Sequence, residues 1–121
     1  MTQPLDGILV LDLGRVLAGP SCAQLLGDYG AEVLRIEDMK GDETRQWPPV
    51  VGGEGSNFQS VNRNKRAMAL DLKTREGQQI IQALAKKADV LLHSYLPEVA
   101  DRLGLGADAA EPKGGQEKYL F

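Results

Sequence analysis

The sequence has 121 residues, a formal net charge of −3 and hydrophobic side chains at 42% of its positions. This length predicts one domain that buries roughly two-thirds of its unfolded surface, and the composition excludes disordered and fibrous classes. The acidic balance offers no overall surface for nucleic acid, so no nucleic-acid partner is expected.

No segment has the pattern of a signal peptide or of a membrane span. The longest apolar runs have only a few residues, far short of the ~20 that cross a bilayer, and no basic stretch precedes an apolar one at the N-terminus. Cys22 is the only cysteine, so no intramolecular disulfide can form. These observations predict a cytoplasmic protein without a membrane partner.

The first third of the chain predicts a strand, a helix and a second strand. The nearly continuous apolar run 8–13 is typical of a parallel strand that is buried on both faces. A helix is expected from Pro20, at its first position, to Gly30, and 33–36 reads as the second strand. Together they form a βαβ unit, whose crossover should be right-handed. The helix residues predicted to face the core are Cys22, Leu25, Leu26 and Tyr29.

The remaining segments continue the alternation of strands and helices. Residues 37–64 show no period and are predicted to be a long functional loop. Short strands are expected at 67–72 and 90–92, on either side of a helix capped by Thr74. A last helical turn is expected to begin at Pro97. This order predicts an α/β fold that is doubly wound, with a mostly parallel sheet. The apolar positions predicted for the helix after Thr74 are Ile80, Ile81, Leu84, Ala85 and Ala88.

The end of the chain differs in kind from the rest. Residues 107–121 have no amphipathic period, and their Pro and Gly content is typical of a linker. The predicted organisation is therefore one α/β segment, 1–106, followed by a flexible tail, 107–121.

The segment that follows the first strand, 14–20, is the first candidate site. Ligands of open α/β sheets bind beyond the carboxyl ends of strands, and the N–H groups that open the next helix can receive a phosphate. Ala18 and Gly19 are small enough for a ligand to approach the backbone. The dinucleotide fingerprint G-x-G-x-x-G is absent, so a nicotinamide or flavin cofactor is not supported. Glu37 is either a ribose-binding acid or a solvated charge at a strand end.

Three further features have two interpretations each. The stretch 62–66 places three cations within five residues, which indicates a solvated turn or an anion site. Trp47 is either a lid over a ligand or an anchor for its loop. His93 is the only histidine, and we interpret it as a loop residue rather than a catalyst. With no second histidine and no cysteine cluster, no metal site is predicted.

Taken in order, several stretches resemble the class III coenzyme A transferases, a family that includes formyl-CoA and carnitine-related CoA transferases and α-methylacyl-CoA racemases. The resemblance covers residues 4–106 and implies a partial Rossmann-like fold. The stretches that carry it are 4–12, 17–20, 26–33, 36–37, 41–45, 62–66, 70–73, 88–90 and 101–104.

The resemblance also implies a ligand, coenzyme A or an acyl-CoA, and no tightly bound cofactor. The phosphates of coenzyme A are suited to Arg side chains and helix N-termini, and its adenine is suited to an apolar surface. The family's transferases use an aspartate nucleophile that lies beyond the matched region, so no catalytic residue is assigned here. The implied CoA contacts are Arg15, Val16, Leu17, Ala18, Pro20, Lys65, Arg66, Leu72, Ser94, Tyr95 and Arg102.

Three hypotheses remain open at this point. The chain is a truncated family member with a partial, weak CoA site, a small non-catalytic binding protein that reuses the fold, or one half of a split enzyme. Whether it is an enzyme by itself is therefore undecided. Because later sequence would cover sheet edges and helix faces in full-length relatives, we expect the chain to self-associate as a homo-oligomer, for example a dimer.

Overall fold

The computed structural model describes residues 2–106 and the backbone of Tyr119–Leu120. The strands are β1 Leu9–Leu13, β2 Glu32–Glu37, β3 Val50–Val51, β4 Glu54–Gly55, β5 Lys65–Ala69, β6 Val90–His93 and β7 Tyr119–Leu120. The helices are α1 Ala18–Asp28, a 3-10 helix Glu43–Gln46, α2 Ser56–Ser60, α3 Arg75–Lys87 and α4 Pro97–Arg102.

Five strands form one parallel sheet in the order β5-β2-β1-β6-β7. The chain first moves outward from β1 through β2 to β5, and then returns to the other side of β1 through β6. The order therefore reverses between β1 and β6, which is the topological switch point of a doubly wound sheet. The predicted fold class is confirmed.

Successive residues of β1 point to opposite faces of the sheet, and each face carries its own core. Leu11 and Leu13 pack in one cluster with Ile81 of α3. Val10 packs in the other cluster with Ala23 of α1. The two helices therefore cover opposite faces, as the doubly wound arrangement requires.

The buried face of α1 differs from the predicted one. Ala23 is fully buried, whereas Cys22 is exposed and Leu25 and Tyr29 are 57% and 58% exposed. The small residues allow a close approach to the sheet, since a Cβ added to Gly27 would lie 3.3 Å from Cγ2 of Val33. Close packing through small side chains outweighs the hydrophobic period here, so the prediction for Cys22, Leu25 and Tyr29 is wrong. Leu26 does pack against the core.

The segment 37–64, predicted to be a loop, contains regular structure. It holds the 3-10 helix, the β3–β4 hairpin with Gly52 and Gly53 at its turn, and α2. The side chain of Asp42 caps the 3-10 helix, accepting from the N–H of Thr44 at 2.8 Å. Phe58 is buried beneath the guanidinium of Arg45, whose Cζ lies 3.9 Å from the ring centroid. We call this compact unit, residues 41–62, the excursion.

The second half of the sheet follows the predicted order with shifted bounds. β5 was expected at 67–72 and is found at Lys65–Ala69. Thr74 caps α3 as predicted, and its Oγ1 accepts from the N–H of Gly77 at 3.0 Å. Ile81 is buried, but Ile80 is 43% exposed and does not belong to the core face.

The predicted tail, 107–121, lies outside the described residues apart from Tyr119–Leu120. Those two residues pair in parallel with β6, a strand that the sequence pattern did not indicate. Within the described part of the chain, no helix has the length and apolar character needed to cross a membrane.

Candidate site at the switch point

The segments that follow β1 and β6 meet at the switch point. The Cζ atom of Arg15, two residues after β1, lies 6.0 Å from the ring centroid of Tyr95, two residues after β6. The ring of Tyr95 also stacks on His93, with centroids 5.7 Å apart. The N–H of Tyr95 donates to Nδ1 of His93 at 3.1 Å. The two loops therefore form one continuous surface at the carboxyl edge of the sheet, where such folds bind ligands.

The pKa values of this pair reflect their partly buried position. Burial raises the pKa of Tyr95, whereas the nearby charge and hydrogen bond of Arg15 lower it. Burial lowers the pKa of His93. Because Nδ1 accepts a hydrogen bond, the neutral ring with its proton on Nε2 fits this geometry.

The turn between β1 and α1, which we call the first turn (residues 14–20), is tightly folded. A Cβ added to Gly14 would lie 2.9 Å from Cα of Gly19 and 3.0 Å from Cδ of Pro20, so no side chain fits at this point. Val16 has φ of 62°, a left-handed conformation that β-branched residues rarely adopt. Such a conformation persists only where surrounding contacts hold it.

The first turn leads directly into the N-terminus of α1. Leu17 is the N-cap residue, and no side chain caps the helix. The N–H groups of Ala18 and Gly19 open the helix, while Pro20 has none to offer. Leu17 and Ala18 are exposed beside them. This end of α1 therefore presents donors and a positive partial charge to an anion.

A set of paired charges lies under the first turn, on the face of the sheet covered by α1. We call it the buried charge cluster: Asp12, Arg35, Glu37, Asp42, Lys65 and, at its rim, Arg45. It contains three acids and three bases, so its formal charges balance. The first five side chains are 7% exposed or less, and Arg45 is 28% exposed. Charges this deep are tolerated only when they are paired.

Arg35 is the centre of the buried charge cluster. Its Nη1 donates to Oδ2 of Asp12 and to the carbonyl of Gly14, both at 3.1 Å, and its Nη2 bonds to Asp42. Its Nε lies 3.8 Å from Oε1 of Glu37, too far for a hydrogen bond. Arg35 thus joins the central strand to the start of the excursion.

Lys65, a predicted CoA contact, forms hydrogen bonds with other residues of the protein. Its Nζ donates to Oδ2 of Asp12 at 2.9 Å, to the carbonyl of Pro20 at 2.8 Å and to Oδ1 of Asn62 at 2.9 Å. An ammonium group has three donors, and all three are used. Burial lowers the pKa of Lys65, while Asp12 opposes that effect.

The other predicted contacts fall in different places. Leu72, just after β5, and Tyr95 both pack against the α3-side core, and Ser94 is exposed beside Tyr95. Arg102 is exposed in the last turn of α4. Arg66 forms an exposed ion pair with Glu32, the first residue of β2, and so lies toward the amino edge of the sheet. The geometry therefore brings together the first turn and Tyr95 but not Arg66.

Two cations at the carboxyl edge were not singled out from the sequence. Lys40 follows β2 and Lys73 follows β5, and both are exposed. The signal that identifies them is their position after parallel strands, which place them at the same edge as Arg15. Among residues 2–106, no group of three or more His, Cys, Asp and Glu side chains is placed to hold a metal ion.

The fold and the site together define an α/β protein with an uncapped helix N-terminus at its switch point. The sequence model of CoA-transferase family III matches residues 5–113. The chain belongs to this family, and the resemblance noted from its motifs is confirmed.

Individual relatives agree with the family assignment. The chain is 47% identical over 106 residues to the human succinyl-CoA:glutarate CoA-transferase, covering 86% of this chain and 24% of that protein. It is 46% identical over 116 residues to an acyl-CoA transferase of Fusarium pseudograminearum, covering 86% of this chain and 25% of that protein. A CAIB/BAIF family protein from Brucella suis has a similar structure, with a TM-score of 0.85, 36% identity and coverage of 91% and 30%. The chain thus spans about a quarter of the length of these curated relatives.

Proposed function

We propose that this chain supplies part of the coenzyme A site of a family III CoA-transferase. The observation that carries the proposal is the meeting of Arg15 and Tyr95 across the switch point, beside the uncapped N-terminus of α1. Family membership supports a CoA thioester as the ligand. The reaction of the whole protein is then the transfer of coenzyme A between an acyl-CoA and a carboxylic acid.

Each part of the site suits one part of coenzyme A. The N–H groups of Ala18 and Gly19 and the guanidinium of Arg15 suit the diphosphate, since a helix N-terminus and a planar cation both favour phosphate oxygens. Lys73 adds positive charge at the same edge, and Leu72 and Tyr95 offer apolar surface to the adenine. Val16, Leu17, Ser94 and Arg102 are proposed as further contacts. Pro20, which the resemblance also implies as a contact, is fully buried and its carbonyl accepts from Lys65, so it is not proposed as one.

On this proposal the chain alone binds coenzyme A weakly and does not turn over acyl-CoA. An aspartate nucleophile, as in the family's transferases, is expected outside the described residues. Without a positioned nucleophile, nearly all the rate of a transferase is lost. We also propose that the chain forms a homo-oligomer and that it is located in the cytoplasm.

The binding test compares coenzyme A, dephospho-CoA and pantetheine by amide chemical-shift titration of the 121-residue chain. We expect shifts at Arg15, Val16, Ala18 and Tyr95 with coenzyme A, weaker ones with dephospho-CoA and little response to pantetheine. Added salt should weaken binding, because the phosphates are held by charge. Absence of shifts in these amides at millimolar coenzyme A contradicts the proposal.

The activity test uses succinyl-CoA and glutarate, the substrates in the name of the human relative. We expect no transfer by the chain alone. If activity appears when the remaining part of a family sequence is added as a separate polypeptide, the chain acts as one half of a split enzyme. Turnover by the isolated chain contradicts the assignment of a non-catalytic fragment.

A further inference from the structure

The buried charge cluster holds the first turn at both of its ends. At the start of the turn, Gly14 donates its N–H to Oδ1 of Asp12 at 2.9 Å and its carbonyl accepts from Arg35 at 3.1 Å. At the end of the turn, the carbonyl of Pro20 accepts from Lys65 at 2.8 Å. Lys65 and Arg35 both bond to Oδ2 of Asp12, so the two ends are tied through one carboxylate.

The anchoring side chains are nine-tenths buried or more, and each of them makes one hydrogen bond to the backbone of the turn. The turn also holds Val16 in a left-handed conformation. A strained residue of this kind requires a surrounding structure that determines its backbone angles.

We propose that Asp12, Arg35 and Lys65 are positioning residues, which fix the first turn so that its N–H groups are aimed at coenzyme A before the ligand arrives. They act through the backbone of Gly14 and Pro20 and do not touch the ligand. This inference rests on the proposed function and assigns Lys65 a different role from the direct contact that the family resemblance implies. Pre-organised donors bind more tightly because they lose less freedom on binding.

The test substitutes Lys65→Met, which is one atom shorter, keeps the apolar stem of the side chain and removes all three hydrogen bonds. We expect at least tenfold weaker binding of coenzyme A by the folded protein. We also expect at least tenfold faster hydrogen exchange of the Gly14 amide in the absence of ligand. If binding weakens but exchange of the Gly14 amide is unchanged, Lys65 touches the ligand directly and the proposal is wrong.

Two control variants separate positioning from general effects. Arg63→Met removes a neighbouring exposed cation that pairs with Asp28, and it should change neither readout. Ile81→Ala removes a fully buried side chain on the opposite face of the sheet and should destabilise the whole protein. Hydrogen exchange of the Leu11 and Gly14 amides should then accelerate by the same factor, and the folded protein should bind coenzyme A as tightly as the parent. If Lys65→Met behaves like Ile81→Ala, its role is merely structural and the proposal fails.

A measurement on the unmodified chain tests the proposal even if Lys65→Met does not fold. The Gly14 amide should exchange as slowly as that of Leu11 in the centre of β1, although Gly14 lies in a turn. Exchange as fast as that of Gly52, at the tip of the hairpin, overturns the proposal. Because this measurement needs no ligand, it tests the anchoring of the first turn separately from the coenzyme A titration, which tests the proposed function.

Discussion

The guanidinium of Arg15 and the ring of Tyr95 lie 6.0 Å apart, measured from Cζ to the ring centroid, and they join the loops after β1 and β6. A cation in this position over a ring is attracted to its negative face. The contact places a positive charge beside an apolar surface at the switch point. Any ligand that spans the two loops meets both groups together.

Replacing Arg15 with Met should raise the pKa of Tyr95 further above its usual value. Burial already raises that pKa, and Arg15 opposes the effect through its charge and its hydrogen bond. Removing Arg15 leaves burial unopposed. The pKa can be followed by NMR of Tyr labelled at Cζ with carbon-13, and the same variant should bind coenzyme A several-fold more weakly. An unchanged Tyr95 titration in Arg15→Met would contradict the contact, and Arg63→Met serves as the control.

A second prediction concerns acid pH and His93. Burial lowers the pKa of His93 below its model-compound value of 6.5, so the unfolded chain takes up a proton more readily than the folded one. The stability from the neutral ring is therefore complete above pH 6.5 and is lost as the pH falls through the lowered pKa. Protonation would also remove the acceptor for the N–H of Tyr95.

The variant that tests this is His93→Asn, whose side-chain oxygen can accept the same hydrogen bond and does not titrate. Urea unfolding midpoints measured from pH 7.5 to 5 should fall more steeply for the parent chain than for His93→Asn. Parallel pH profiles for the two proteins would show that His93 does not contribute.

Much of the fold is encoded in local patterns. The apolar run of β1 and the Thr74 cap each give a short-range signal that the structure confirms. Pro20 indicates the first turn of α1 correctly, but it is the third helical residue and not the first as predicted, because the helix begins at Ala18. The buried face of α1 could not be predicted from such local patterns. Hydrophobic period predicts what a helix would bury against an unspecified partner, whereas the close approach of Gly27 to Val33 depends on the sheet that the helix meets.

The site was only partly predictable for a similar reason. The position of the first turn follows from the strand–turn–helix order, so its place at the carboxyl end of β1 could be predicted. The hydrogen-bond partners of Lys65 could not be predicted, because Lys65 lies in a run of charges that favours solvent exposure. Its burial results from the pairing of β5 with β2, which lets the side chain reach Asp12 on the far side of β2. Contacts of this kind depend on strand order, which no local pattern contains.

The buried charge cluster gives a third prediction. Arg35→Met should lower the free energy of unfolding by about 3–5 kcal/mol, because it leaves the carboxylates of Asp12 and Asp42 buried without their shared partner. Urea denaturation followed by circular dichroism measures the change. The exposed pair Arg63–Asp28 is the comparison, and Arg63→Met should leave the midpoint unchanged within error. If Arg35→Met and Arg63→Met lowered the free energy of unfolding equally, the buried ion pairs would contribute no more to stability than the exposed pair.

The outward face of α1 gives the last prediction. Cys22, Leu25 and Tyr29 recur at helical spacing and are exposed, so α1 carries apolar side chains on both sides. Apolar surface of this kind favours association. We expect the chain to sediment as a dimer or larger species at micromolar concentrations. Leu25→Glu should shift it toward the monomer. Lys86→Glu, which places a glutamate on the exposed face of α3 instead, should not. A parent chain that stays monomeric, or a Leu25→Glu variant that associates as the parent does, would show that this face is not the contact surface.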